Sequence, residues 1–352
     1  MSRIVAKTLK ASVVDLFCGA GGLSYGFKSE GFPLAAGIDI DEICRFPYET
    51  NNKAPFLRKD VTTLKADDVE RLFTPERTRV LIGCAPCQPF STYNQKNEDP
   101  KWRLLHSFGR LIDQVRPDVV SMENVPQLLK FKNGKTFKKF VKTLIDADYH
   151  VVWDVLYGPD FGLAQTRSRL VLLASRLGEI KLPKPTHRGS PRTVFDEIGK
   201  LPPLKHGEAD QTDPIHCTSR LSETNARRIA AAIPGGTWRD WEPELVTACH
   251  KQASGKGYSS VYGRMKWTEP SPTITTQFYG FGNGRFGHPD QDRALSLREG
   301  ALLQSFPLEY EFVPAGARVQ FKAVGRMIGN AVPVKLAKAI ARAVRSHIEG
   351  IQ

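Results

Sequence analysis

The chain has 352 residues, with 50 Lys and Arg against 37 Asp and Glu, and a formal net charge of +13 at pH 7. A chain of this length can bury a large core, and one large domain with a smaller one is the simplest expectation. The positive charge indicates a polyanionic partner, and no apolar run is long enough to span a bilayer. Six cysteines are scattered and no secretory signal precedes Ala11, so we expect a reduced, cytoplasmic protein.

The first half of the chain alternates short apolar runs with longer amphipathic stretches. The longer stretches, for example 104–115 and 135–147, are long enough for crossover helices. Such alternation is typical of a doubly wound α/β fold with a mostly parallel sheet. The runs that predict strands are 12–17, 34–38, 80–82, 119–122, 151–156 and 170–174.

The pattern changes near Gly178, where prolines begin to punctuate a segment with little periodicity. This segment predicts a linker into a smaller, irregular domain that is rich in glycine and aromatic residues. Helical periodicity returns at 297–304 and at 333–344. We therefore expect domains at residues 1–184 and 185–319, followed by a C-terminal segment, 320–352, that returns to the first domain.

A glycine-rich turn at residues 17–24 joins the first strand to a helix. Gly19 and Gly21 allow a tight turn and a close approach of a ligand to the backbone. Asp39 ends the second strand, where an acid can accept both hydroxyls of a ribose, and Asp60 could hold an adenine amino group. Ser24 departs from the dinucleotide fingerprint, so an adenosine-bearing cofactor without a pyrophosphate fits better. A turn that serves packing alone is the alternative.

Cys87 lies between Pro86 and Pro89, in a stiff loop that follows a strand-like run. Open α/β sheets bind ligands at such positions. With Cys84 it forms a Cys-x-x-Cys spacing, which also suits a redox couple or half of a zinc site. No second such spacing completes a set of four zinc ligands, and thioredoxin-type couples lie in small domains. A nucleophilic Cys87 is favoured.

Two charged motifs flank predicted strands. Glu123 ends the run 119–122, where a buried carboxyl can act as a proton donor, although a helix-capping acid is the alternative. Arg167 and Arg169 are two residues apart at the start of a strand and share a face. Such a pair suits a phosphate, a carboxylate or a polarised carbonyl, and a surface pair with salt-bridge partners is the alternative.

The charge is spread over folded regions. Residues 1–184 carry a net charge of +7, residues 185–275 carry +2 and residues 276–352 carry +4. Six lysines fall within residues 130–142, and they fit either a solvated helix face or a patch that faces phosphates.

In chain order, these motifs resemble those of the bacterial DNA (cytosine-5)-methyltransferases of the restriction-modification type. The resemblance begins with the Phe17-x-Gly19-x-Gly21 turn and the tripeptide Pro86-Cys87-Gln88. It continues at residues 123–125, 165–169, 296–299 with 303–307, and 329–332. The motifs span residues 12 to 345 and leave only the middle of the second domain unmatched.

The resemblance implies a Rossmann-like, S-adenosylmethionine-dependent methyltransferase fold with a small target-recognition domain. It implies methyl transfer to carbon 5 of a flipped cytosine in a specific duplex sequence, with S-adenosylhomocysteine as product. Cys87 would add to carbon 6, and Glu123 would protonate or hydrogen-bond ring nitrogen 3 and the exocyclic amine. Arg167 would hold the carbonyl oxygen at position 2, and Arg169 would support the loop and the thiolate. Family members often have Glu where this chain has Asp39. The implied cofactor residues are Phe17, Gly19, Gly21, Asp39, Asp60, Pro86, Leu104 and Asn330.

The implied partner is double-stranded DNA, bound by a monomer without a metal, and a cognate restriction endonuclease is the expected functional counterpart. Arg, Lys and Gln side chains can pair with guanine or adenine edges, or contact phosphates instead. The candidates for DNA contact are Gln88, Ser91, Arg239, Lys251, Gln252, Lys256, Arg264 and Lys266.

Two rival functions share the fold. Related tRNA cytosine methyltransferases carry a Cys-Phe-Thr tripeptide in the second domain, and this sequence contains none. A DNA-binding relative without activity would have lost the chemical groups, whereas Cys87, Glu123 and Arg167 are all present. With Cys87 as the nucleophile, we expect Cys84 to be a packed neighbour.

Overall fold

The computed structural model describes residues 9–86, 102–255 and 257–351, apart from the side chain of Ser254. The chain forms two compact units. Unit 1 comprises residues 1–161, 168–186 and 332–352, and unit 2 comprises residues 162–167 and 187–331. None of the helices in the described ranges combines the length and the apolar character that crossing a bilayer requires.

A seven-stranded sheet forms the centre of unit 1. Its strands are β1 Ala11–Leu16, β2 Leu34–Asp39, β3 Phe56–Arg58, β4 Thr78–Gly83, β5 Val119–Asn124, β6 His150–Tyr157 and β7 Ser168–Ser175. The spatial order is β3-β2-β1-β4-β5-β7-β6, with β1 to β5 parallel and β7 antiparallel to both neighbours. Every residue of β1 and β5 is buried, as expected for covered parallel strands. The predicted mostly parallel sheet is confirmed.

Helices connect the strands of unit 1 and provide most of the regular structure of unit 2. In unit 1, α1 and α11 pack so closely that a Cβ at Gly26 would lie 2.3 Å from the Cβ of Ala337. The helices in chain order are α1 Gly22–Ser29, α2 Arg45–Asn52, α3 Ala66–Glu70, α4 Arg103–Val115, α5 Lys135–Asp146, α6 Val194–Ile198, α7 Glu223–Ala231, α8 Ala248–Lys251, α9 Leu297–Leu303, α10 Phe321–Asn330 and α11 Val334–Glu349. Of these, α1 to α5 and α11 belong to unit 1.

The register of the sheet determines which residues meet at its carboxyl edge. Leu16 pairs with both Ile38 and Gly83, and Gly83 also pairs with Met122. The residues that follow these positions in β1, β2, β4 and β5 therefore emerge side by side. An apolar core that includes Val14, Leu81, Val120, Phe108 and Phe140 holds the strands and helices in place beneath this edge.

Unit 2 combines an aromatic core with buried charged groups. Trp238, Trp241 and Phe281 belong to the core. Arg293 and Glu299 are almost completely buried and form two hydrogen bonds of 2.8 and 2.7 Å. Burial alone would raise the pKa of Glu299, but its hydrogen bonds to Arg293 hold that pKa below its usual value. Such a bidentate pair is stable in a core because both partners are satisfied.

The two units and the predicted domains divide the chain at different residues. The short segment 162–167 and helix α10 belong to unit 2, whereas the predicted scheme placed them in the first domain and the C-terminal segment. Segment 162–167 makes hydrogen bonds to residues 271, 274, 303 and 304, all within unit 2. The functional roles given to the domains stay predictions.

Candidate active site

The turn after β1 has a backbone that leaves room for a ligand. Phe17, Gly19 and Gly21 have φ angles of 60°, 51° and 92°. A left-handed φ is costly for a residue with a Cβ such as Phe17, and strain of this kind concentrates at ligand sites. A Cβ at Gly19 would meet no atom within 4 Å. The backbone of the turn is therefore approachable from that side.

Asp39 at the end of β2 is tied to this turn. Its Oδ2 accepts a hydrogen bond from Gly19 N and its Oδ1 accepts one from Asp41 N, each at 2.9 Å. Burial raises the pKa of Asp39, and the two N–H donors act against that rise. A carboxylate can accept about four hydrogen bonds, so both oxygens keep capacity for ligand hydroxyls. Sequence reasoning missed Ile40, whose side chain is 62% exposed beside this acid and offers an apolar surface.

A second carboxyl lies buried beneath the turn. Asp15 is 1% exposed, and its Oδ2 accepts a 2.6 Å hydrogen bond from the Ser24 hydroxyl. Burial raises the pKa of Asp15 to about 8; the Ser24 hydrogen bond lowers it and the charge of Asp39 raises it further. Asp15 is therefore largely protonated at neutral pH, which avoids a second negative charge near Asp39. The buried hydrogen bond also gives a physical role to Ser24, the residue that departs from the dinucleotide fingerprint.

The remaining sequence-predicted cofactor residues are half-buried or exposed. Asp60 is half-buried, and its Oδ1 accepts a local hydrogen bond from Thr62 N at 2.8 Å. Pro86 follows β4 and Leu104 lies in the first turn of α4, and both are half-buried. Asn330 is exposed at the end of α10, in unit 2.

A buried acid, a thiol and a guanidinium meet at the carboxyl end of β5. Glu123 is 2% exposed, and its Oε2 accepts a hydrogen bond from Cys84 Sγ at 2.8 Å. Arg169 Nε lies 2.9 Å from Glu123 Oε1, but the N–H is not aligned with that oxygen. Oε1 accepts no hydrogen bond from the described residues. A buried carboxylate oxygen in this state is a candidate contact for a substrate N–H group.

The structure gives Cys84 a specific contact where the sequence predicted a packed neighbour. The β4–β5 register brings the residue after Gly83 next to the residue after Met122, so Cys84 reaches Glu123. The next residue along the strand, Asn124, donates from Nδ2 to Ala85 O at 2.9 Å. Glu123 and Asn124 therefore hold Cys84 and Ala85, the residues that precede Pro86 and Cys87 in the sequence. Cys87, Gln88 and Ser91 lie outside the described residues.

The two arginines of the 165–169 motif belong to different units. Arg169 belongs to unit 1 and contacts Glu123. Arg167 belongs to unit 2, is 5% exposed and donates to Ile274 O at 3.0 Å and to Gly329 O and Ala331 O at 3.4 Å. In unit 2, Gln165 accepts from Ile274 N and donates to Leu303 O.

The candidate DNA contacts in unit 2 differ in accessibility. Arg264 is 5% exposed, and its guanidinium donates to Asp292 and to the carbonyl oxygens of residues 229, 232, 288 and 291. These bonds occupy all five N–H groups, so we reassign Arg264 from DNA contact to the internal framework of unit 2. Lys266 is exposed and pairs with Glu269.

Three other candidates of unit 2 are on its surface. Arg239 lies 5.4 Å from the centre of the Trp238 ring, and Lys251 and Gln252 are exposed. Lys256 lies outside the described residues. Within the described ranges, no group of three or more His, Cys, Asp or Glu side chains is arranged to hold a metal ion.

Comparison with known proteins gives one consistent result. The sequence matches the family "C-5 cytosine-specific DNA methylase" over residues 11–346. It is 48% identical to the Type II methylase M.HgiDII of Herpetosiphon aurantiacus over 97% of this chain and 96% of that protein. It is 31% identical to the Type II methyltransferase M.Sau96I of Staphylococcus aureus, over 98% of this chain and 78% of that protein. The fold is similar to that of the Dnmt2 methyltransferase of S. pombe, with a TM-score of 0.60 and 18% sequence identity. The match covers 96% of this chain and 98% of that chain.

Proposed function

The chain belongs to the C-5 cytosine-specific DNA methylase family, and we propose that it methylates carbon 5 of a cytosine flipped out of a specific duplex DNA sequence. We propose that S-adenosylmethionine is the methyl donor and that Cys87 forms a transient covalent bond to carbon 6 of the base. The observation that carries this proposal is the environment of Glu123. It is a buried acid at the carboxyl edge of the sheet, with one oxygen free of donors in the described residues, and the neighbouring Asn124 is hydrogen-bonded to the backbone of Ala85, two positions before Cys87 in the sequence.

Cys87 supplies the nucleophile that the chemistry requires. Carbon 5 of cytosine is a poor nucleophile, and addition of a thiolate to carbon 6 converts it into an enamine-like carbon. A thiolate both adds and leaves readily. Once carbon 5 carries the new methyl group, loss of its proton re-forms the double bond between carbons 5 and 6, and the sulfur departs with the electrons of the carbon 6–sulfur bond.

Glu123 acts at a different part of the base, ring nitrogen 3. Negative charge moves toward ring nitrogen 3 as the thiolate adds to carbon 6. A carboxyl group at Glu123 Oε1 can donate a proton there or hydrogen-bond to the neighbouring amino group. The contacts of Oε2 with Cys84 and of Oε1 with Arg169 hold the carboxyl in position. From the family motif, we assign Arg167 to the carbonyl oxygen at position 2 of the base.

The residues around the glycine turn fit S-adenosylmethionine. Asp39 has free acceptor capacity for ribose hydroxyls, Ile40 offers an apolar surface to the adenine, and Gly19 leaves its backbone open. Asp60 follows the next strand and would face the adenine amino group. When bound, this cofactor supplies a methyl group on a positively charged sulfur. The proposed cofactor residues remain Phe17, Gly19, Gly21, Asp39, Asp60, Pro86, Leu104 and Asn330.

Methylation inside a duplex requires that the base leave the stack. A side chain cannot reach carbon 6 of a stacked base, and flipping costs a few kcal/mol. The similarity to Type II methylases further suggests that the methyl mark protects DNA from a cognate restriction endonuclease.

The test compares three proteins: the native chain, Cys87→Ser and Cys249→Ser. Cys249 is an exposed cysteine in unit 2 and serves as the matched control. Each protein is incubated with labelled S-adenosylmethionine and either duplex DNA or tRNA, and bisulfite sequencing locates the modified base. We expect label in DNA for the native protein and for Cys249→Ser, and none for Cys87→Ser.

A duplex that contains 5-fluorocytosine tests the covalent step directly. Fluorine cannot leave carbon 5 as a proton does, so the Cys87 adduct should persist and shift the protein on a denaturing gel. Label in tRNA alone, or methylated DNA from Cys87→Ser at the native rate, would overturn the proposal.

A further inference from the structure

Unit 1 exposes a dense group of lysines that the proposed chemistry does not use. We define the lysine surface as Lys130, Lys132, Lys135, Lys138, Lys139 and Lys142, and all six side chains are exposed. Residues 130–146 carry a net charge of +5, which is most of the +7 that residues 1–184 carry. The net positive charge of this part of the chain is therefore concentrated in one short segment.

The amphipathic character of α5 places the lysines on one side. Phe137, Phe140 and Leu144 are buried in the core of unit 1. Lys135, Lys138, Lys139 and Lys142 recur at intervals of three and four residues, and such positions lie along one face of a helix. With a rise of about 1.5 Å per residue, lysines that are three or four positions apart are separated by roughly 5 Å along the helix axis.

Within residues 9–86, 102–255 and 257–351, few acids compensate this charge. Lys142 forms an ion pair of 2.7 Å with Asp146, near the C-terminal end of α5. No acidic side chain of the described residues pairs with Lys130, Lys135, Lys138 or Lys139, and the first turn of α5 contains no acid. The helix dipole adds positive potential at that same N-terminal end.

Packing fixes the N-terminal part of the lysine surface. Lys132 Nζ lies 4.1 Å from the centre of the Trp102 ring, and Trp102 also contacts Phe131 and His106. Burial lowers the pKa of His106, and the charges of Lys139 and Lys132 lower it further. The positive potential of the lysine surface therefore extends to helix α4.

The lysine surface begins at the edge of the sheet that carries the candidate active site. Strand β5 ends with Glu123 and Asn124, and two short 3-10 helices, Pro126–Leu129 and Phe131–Gly134, lead directly into α5. Within unit 1, the chain thus runs from the proposed catalytic acid to Lys130 in seven residues.

We propose that the lysine surface binds the phosphate backbone of duplex DNA outside the target base pair. The proposal rests on the proposed function, because the partner is the DNA that carries the target cytosine. Residues 185–275 of the recognition region carry a net charge of only +2, so sequence-independent attraction has to come from another part of the protein. This attraction comes from ammonium groups that pair with no acid in the described part of the chain, those of Lys130, Lys135, Lys138 and Lys139, because each phosphate that they neutralise releases counterions.

The test uses two triple variants with the same change in charge. The first is Lys135→Gln/Lys138→Gln/Lys139→Gln. The control is Lys10→Gln/Lys181→Gln/Lys184→Gln, also exposed in unit 1, and Lys10 directly precedes β1. Lys181 and Lys184 follow β7, whose last residue pairs with Val119 at the opposite end of β5 from Glu123. The binding constant for a duplex of unrelated sequence is measured from low to high salt, and thermal unfolding verifies that each variant is folded.

The first triple should weaken DNA binding at least about 10-fold at 0.1 M salt and reduce the magnitude of the slope of log K against log salt by about 2 to 3. The control should stay within about 2-fold of the native protein, and Lys→Arg at the same three positions should restore the slope. Equal weakening by both triples, or an unchanged slope in the first, would overturn the proposal. These binding measurements need no methyl transfer, so they separate a failed lysine surface from a failed methyltransferase assignment.

Discussion

The contact between Cys84 and Glu123 makes the sharpest prediction about the candidate site. Cys84→Ala removes the thiol that donates to Glu123 Oε2 and leaves that buried oxygen without this donor. Cys84→Ser keeps a donor of smaller size at the same position. The pair of variants therefore separates the loss of the hydrogen bond from the loss of the sulfur atom.

The size of the effect follows from the burial of the acid. A hydrogen bond contributes about 0.5–1.5 kcal/mol between neutral groups and about 1.5–3 kcal/mol to a charged group, and a thiol is a weak donor, so we take about 1–2 kcal/mol. If the hydrogen bond orients Glu123 during proton transfer, the rate of the methylation step falls about 5- to 30-fold in Cys84→Ala. Cys84→Ser should recover most of this loss. The midpoint of thermal unfolding should change by only a few degrees.

The assay is single-turnover methylation of a cognate duplex across a range of pH, with saturating cofactor. A positioning role for Cys84 predicts a lower rate at every pH, a changed pH profile and an unchanged affinity for DNA. Equal rates for the native protein and Cys84→Ala would refute this reasoning. Equal losses in the Ala and Ser variants would show that the sulfur itself, and not its hydrogen bond, is required.

Two further predictions concern buried charged groups. The pKa of Asp15 is about 8 in the folded protein against 3.8 for the free side chain, so the folded state retains a proton that the unfolded state loses above pH 4. The stability of the native protein should therefore fall relative to that of the Asp15→Asn variant as the pH rises from about 4 to 8. The difference between the thermal unfolding midpoints of the two proteins measures this effect, and a difference that does not change with pH would contradict the shifted pKa. Arg264→Met should leave several buried carbonyl groups without a donor and lower the free energy of unfolding of unit 2 by roughly 3–5 kcal/mol in denaturant titrations. Lys266→Met should change that free energy by less than about 0.5 kcal/mol. A stable Arg264→Met variant with weakened DNA binding would instead support Arg264 as a DNA contact.

Local patterns account for the success of the sequence in predicting the sheet. Each predicted strand corresponds to a strand of unit 1. For β1, β2, β4 and β5 the reason is that a covered parallel strand is a continuous apolar run with turn residues after it. The glycines, Asp39 and Glu123 follow strand ends, and the carboxyl edge of a parallel sheet gathers such residues. The short strand β3 and the antiparallel course of β7 depend on pairing partners, which the local pattern does not specify.

Contacts between distant residues required the tertiary structure. Arg264 and Lys266 are both basic and lie two positions apart in the sequence. Backbone carbonyls enclose the Arg264 side chain, whereas the Lys266 side chain is exposed. Arg167 and Arg169 are two residues apart but belong to different units and have different partners. Their environments depend on segments more than 40 residues away in sequence.

The sequence by itself determined the α/β class, the order of the motifs and the identity of the proposed nucleophile, Cys87. These are properties of residue type, spacing and strand ends. Only the tertiary structure decided that Cys84 hydrogen-bonds to Glu123, that Asp15 is buried beneath the cofactor turn and that Arg264 is internal. The reason is physical: burial and hydrogen bonding arise from strand register and packing, which bring together residues that no local pattern relates.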